Sequence, residues 1–261
     1  MMNRRHFVKT AALAGASTLA LRGKAWPFAQ SPNNIRKFVV SLPSLGPAAK
    51  NEIGQYIPLA VKRTINFAGQ TTDVYDMAAA IFSQRMHPDL PGKTDFLGYT
   101  DLATFDQKYL GGAIVATRNR PVILTMKNLL PSRHILPVDP AIMAGPNGLT
   151  VGDLPINRMV THLHGGLTPW FSDGTPFQWY APNGQHGISF MNIPGYSVAA
   201  GTCSHYFPNQ QSARLVWYHD HAIGLTRLNA YAGIASAYII TDDFEAGLVS
   251  SGLLPDLSAY R

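Results

Sequence analysis

Apolar and polar residues alternate most clearly over two stretches of this chain. In Val122–Asn128, Val122, Leu124 and Met126 face one way while Ile123, Thr125 and Lys127 face the other. In Arg214–His221, Leu215, Trp217, His219 and His221 share a face, with Val216, Tyr218 and Asp220 opposite. Successive side chains of an extended backbone point to opposite sides, so each stretch predicts a strand, the first with one buried face. β-Branched and aromatic residues predict further strands over Tyr56–Phe67, ending at Gly69, and over Ile234–Thr241 after Gly233. Val74–Met86 fits strand or helix, and Ala222–Tyr231 suits one or two helical turns.

Glycine and proline punctuate the rest. Residues 30–50 read as an extended lead-in, and Pro88 with Pro91-Gly92 as a turn. Pro131–Pro155 reads as loop, and the long, aromatic stretch Trp170–Tyr206 as an ordered functional loop. Residues 244–261 read as a tail or linker with no further element. Short strands, Gly/Pro turns and little helix argue an all-β sandwich, with its domain over residues 51–243.

The formal charge of +6 suggests a basic binding surface, but its distribution removes that reading. The first 30 residues hold five basic residues (Arg4, Arg5, Lys9, Arg22 and Lys24) and no acid, which leaves 16 basic against 15 acidic residues from Ser31 onward. A near-neutral remainder gives no reason to expect nucleic acid as a partner. Asn3-Arg4-Arg5-His6-Phe7-Val8-Lys9 precedes an apolar run, Thr10–Leu21, that is too short for a mature membrane span. This start resembles a twin-arginine export signal over residues 1–29, although Asn3 stands where Ser or Thr is usual. The resemblance implies the twin-arginine translocon as a partner during export, a periplasmic or secreted product, and no stable membrane span. Cys203 is the one cysteine, so no internal disulfide framework exists, and it reads as a small partly buried apolar residue.

Four of the nine histidines fall in two His-x-His pairs, His162/His164 and His219/His221. Residues two apart on a strand share a face, so each pair aims two imidazoles at one point, and adjacent strands would gather four. Imidazole nitrogen suits copper, zinc, iron and nickel. His87, His134, His186 and His205 stand alone in stretches read as loop, and are expected to be structural.

The sequence around the pairs is more specific. Thr161–Gly166, Thr168-Pro169 and Ser172-Asp173-Gly174 resemble the first copper motif of multicopper oxidases. Tyr206–Gln211, Leu215–Ala222, Leu225–Asn229 and Tyr231–Gly233 resemble the second. The likeness is to the bacterial laccase, bilirubin oxidase and phenoxazinone synthase group, and covers about Tyr56 to Asp243. It implies a cupredoxin-like (plastocyanin-like) Greek-key β-sandwich, the N-terminal one of the family's three such domains. It implies copper as cofactor, with His162 on the type 2 copper and His164, His219 and His221 on the type 3 pair. Asp173 matches a family carboxylate that helps deliver protons.

The family's later histidine motifs and its type 1 copper motif are absent, so half of the trinuclear ligands are present. The expectation is therefore an incomplete domain, inactive alone. Within a complete oxidase its partners are oxygen and a phenolic or aromatic substrate. A non-catalytic copper-binding or scaffold protein of the same fold is the alternative. A zinc hydrolase start resembling Thr-His-x-His-x-Asp-His is broken by Gly166 and Leu167.

Overall fold

The computed structural model describes residues 35–255, and the paired arginines and apolar run of the expected leader lie outside the described residues. Two sheets face each other across a core. The first is built on one long strand, β2 (Gln70–Gln84), which settles the open choice over Val74–Met86. Antiparallel β1 (Lys62–Phe67) and β3 (Thr94–Asp101) pair with successive halves of β2, and β5 (Val122–Asn128) runs parallel to it. β7 (Thr202–Phe207) closes the row, antiparallel to β5. The second sheet has the order β4 (Ile114–Thr117), β9 (Ala235–Thr241), β8 (Arg214–Asp220) and β6 (Thr161–His164).

Alternation decides what each sheet buries. Tyr75, Met77, Leu124 and Met126 from the first sheet meet Ile114, Leu163, Tyr218 and Tyr238 from the second in one apolar cluster. At about 25 cal/mol per Å² of apolar surface, each such side chain contributes roughly 2 kcal/mol. The tyrosines also satisfy their hydroxyls: Tyr218 donates to Gly112 O at 2.5 Å, Tyr75 to Val115 O at 2.9 Å and Tyr238 to Asn209 Oδ1 at 2.8 Å. The sandwich is all-β in class and cupredoxin-like.

The structure corrects several expectations. β5 is buried on both faces, not one, because Ile123, with its sheet neighbours Val74 and Tyr206, packs under Ile193 and Phe171 on the far side of the sheet. The stretch from Trp170 that covers them is not loop throughout, since it ends in strand β7. β3 had no sequence-based prediction, and β1 starts at Lys62, after Pro58, and not at Tyr56. Helix α1 (Thr226–Ala232) starts four residues into the expected turns, runs one residue past Tyr231 and stops at Gly233, left-handed at φ 118°. The tail is not bare linker: helix α2 spans Asp243–Ser250, its first turn capped by the Asp242 carboxylate, which accepts the Glu245 N–H at 2.9 Å. No helix among the described residues is long and apolar enough to cross a membrane.

Candidate metal centre

The antiparallel register of β6 and β8 sets His162 directly opposite His219, and His164 opposite Trp217. His221 sits one residue past β8, held by its N–H to Val160 O at 2.9 Å. One ring nitrogen each of His162, His164 and His219 lies within 4.8 Å of the others. The His221 ring centroid is 4.9 Å from that of His162 and 5.7 Å from that of His219. All four expected histidines therefore converge on one place.

Backbone carbonyls set which nitrogens are free. His162 Nδ1 contacts Asp173 O at 2.5 Å and His219 Nδ1 contacts Asp220 O at 2.7 Å, so each Nδ1–H donates and each Nε2 is left for another partner. His219 Nε2 lies 3.2 Å from His164 Nδ1. His221 Nδ1 is buried with no hydrogen-bond partner. A cluster of imidazoles with free or orphaned ring nitrogens fits a metal of the copper class. The turn that brings the Asp173 carbonyl here depends on Gly174, at φ 72°, where an added Cβ would lie 2.0 Å from Thr161 O. Gly165 also takes a positive φ, of 84°, directly after His164.

Comparison with known proteins agrees with this geometry. Over 215 residues the chain is 36% identical to a laccase from Bacillus stratosphericus, a match covering 82% of this chain and 35% of that one. It is 32% identical over 254 residues to a laccase from Haloferax volcanii, covering 94% of this chain and 38% of the relative. The chain belongs to the multicopper oxidase family. It spans about a third of the length of these curated relatives. The crystal structure of a multi-copper oxidase from Pediococcus acidilactici shares the fold, with a TM-score of 0.51 and 18% identity over 87% of this chain and 34% of that one. A scan against protein-family models finds no match.

Electrostatics disfavour charge on the second histidine pair of this multicopper oxidase domain. Burial, reinforced by the neighbouring rings, pushes His219 down to about 4 and also lowers His221. The cluster opens to solvent at His164, while His219 is buried. Asp173 lies beside it, its Oδ1 3.9 Å from His162 Nδ1 and accepting the Thr168 hydroxyl at 3.0 Å.

Behind the histidines is a buried polar group that the sequence reading passed over. Asp220, between the two ligand candidates, accepts N–H groups from Val160 at 2.9 Å, Ala222 at 3.2 Å and the Asn229 amide at 2.9 Å. Burial pushes its carboxyl up to about 6 against those donors. Arg158 is wholly buried nearby, capping Pro155 O and Ile223 O at 2.9 and 2.6 Å, and burial pushes it down to about 10. The strand pattern sets Asp220 with Val216 and Tyr218, opposite the histidine face, and that is the signal available for it.

Of the other histidines, His87 and His186 stay in loops, His87 3.7 Å from Asp89 Oδ2 and His186 stacked on Phe190. His205 is not in a loop: it lies on β7, fully buried, with Nδ1 3.4 Å from Ser172 O and Nε2 unpartnered. Cys203 is fully, not partly, buried beside it on the strand, which pushes its thiol up to about 12.

Proposed function

We propose that this domain supplies half of a trinuclear copper centre of a laccase-like oxidase. His162 would hold the type 2 copper, and His164, His219 and His221 the type 3 pair. Bound copper supplies one-electron redox chemistry, coupling oxidation of phenolic or aromatic substrates to four-electron reduction of oxygen to water. The chain's own residues bind and orient. The Asp173 and Asp220 carbonyls fix two imidazoles, and the Asp173 carboxylate is placed to pass protons to the centre. The observation that carries this reading is the convergence of four imidazole rings whose remaining nitrogens have no protein partner outside the cluster.

The other half of the ligands would come from a further domain seated on the same face. The outward side of β8 and β9 supports this, because Leu215, Trp217, Ala237 and Ile239 form an open apolar stripe leading to His164 and His219. Export through the twin-arginine route accords with a protein that folds around metal before translocation.

Copper titration of the purified chain with electron paramagnetic resonance, alongside oxygen uptake on a phenol, tests the proposal. We expect about one weakly held, type 2-like copper, lost in His162→Ala, and no turnover. Failure to bind copper would overturn the metal assignment. Intense blue colour or turnover would overturn the half-site.

A further inference from the structure

His134 is 95 positions from Asn229, yet its ring begins a chain of directed hydrogen bonds ending between His219 and His221. The direction can be worked out from either end. Asp220 sits in the centre of the buried network, and as a carboxylate it only accepts. The Asn229 side chain therefore turns its Nδ2 to Asp220 Oδ2, at 2.9 Å, and also reaches Arg158 O at 3.3 Å. That leaves Asn229 Oδ1 facing His134 Nε2 at 3.1 Å, so Nε2 carries the proton. From the other end, His134 Nδ1 accepts the Leu136 N–H at 2.9 Å, nearer than Leu136 O at 3.3 Å, and an accepting Nδ1 again puts the proton on Nε2. Both ends give the same order.

Asn229 and Asp220 are 1% and 0% exposed, so water does not compete for these bonds. Burial holds His134 below the usual imidazole range, which keeps it in the neutral form that the order requires. At its far end the chain pins backbone. Asp220 Oδ1 takes the N–H of Val160, which leads into β6, and Oδ2 takes that of Ala222, just past His221. Fixing those two points fixes how the second histidine pair is aimed against the first.

We propose that His134 is a positioning residue for the copper half-site, acting through Asn229 and Asp220 on the aim of His219 and His221. This rests on the copper reading above. Partners that orient metal ligands from outside are worth roughly 10- to 100-fold in affinity. We expect His134→Leu to weaken Cu(II) binding by the 261-residue chain about tenfold and to alter the hyperfine pattern of the copper that remains. His134→Gln, whose amide nitrogen can still donate to Asn229, should restore both to within about threefold of wild type.

A folded His134→Leu protein with unchanged affinity and spectrum would overturn the proposal. So would a loss that Gln fails to rescue, which would reduce His134 to a packing role. If His134→Leu does not fold, long-range proton–nitrogen spectra of the metal-free wild type decide, with an Nε2–H tautomer expected and an Nδ1–H tautomer overturning it. Wild type that binds no copper would sink the copper reading itself, a result separate from any difference between variants.

Discussion

The backbone oxygen of Asp173 lies 2.5 Å from His162 Nδ1, while the Asp173 carboxylate stands 3.9 Å from the same nitrogen. The carbonyl, and not the side chain, therefore sets which imidazole nitrogen faces the cluster. Asp173→Asn keeps that carbonyl and the side-chain shape. We expect it to leave Cu(II) affinity within about threefold of wild type, measured by competition with a chelator. A tenfold loss would show that the carboxylate, and not the backbone, orients His162.

Gly174 makes the opposite case. Its φ of 72° disfavours any side chain, and an added Cβ would stand 2.0 Å from Thr161 O and 2.9 Å from His162 Cα. Neither neighbour is a flexible side-chain end, so strand β6 or the turn must move. Gly174→Ala should cost about 3 kcal/mol or more in urea unfolding and weaken copper binding as well. A stability loss below about 1 kcal/mol would mean that the turn relaxes freely.

These two positions show what the sequence carries and what it hides. The His-x-His pairs are legible because metal binding needs two rings on one face, and strand periodicity supplies that. Strand β8 is legible for the same reason, and β9 from its β-branched and aromatic residues after Gly233. β7 hides because Thr202, Ser204 and His205 give it a loop-like composition, while its burial comes from both sides. The second buried face of β5 depends on Ile193 and Phe171, distant in the chain, which no local pattern reports. Helix α2 had a signal, since Asp242 followed three residues later by Glu245 marks a helix start. The link from His134 through Asn229 to Asp220 had none, because only the fold brings the three together.

Acid sensitivity should be traceable in part to His205. Burial pushes its imidazole down to about 4 in the folded chain, against an ordinary value of 6.5. Between those values the unfolded chain takes up a proton that the folded chain does not. Stability is therefore unaffected above pH 6.5 and is lost as pH falls from there toward 4. The full effect is on the order of 3 kcal/mol. His205→Phe, which keeps a ring stacked near Phe207, should show a smaller drop across that window in urea unfolding. Identical pH curves for the variant and wild type would remove His205 as the cause.

Trp217 offers an optical report on the cluster. Its ring is nearly parallel to His219 at 4.1 Å between centroids, and to His164 at 5.2 Å. Among the described residues Trp170 packs on Phe171 and Trp179 under Arg158, neither with a ring contact to the four histidines, and Trp26 lies outside the described residues. Paramagnetic copper quenches a fluorophore at such range far more strongly than a distant one. Cu(II) should therefore quench the wild-type emission, and Trp217→Phe should lose the larger part of the copper-dependent change. The aromatic stack survives in the variant, so its copper affinity should stay within about threefold. Quenching that persists in full in Trp217→Phe would place the copper away from His164 and His219.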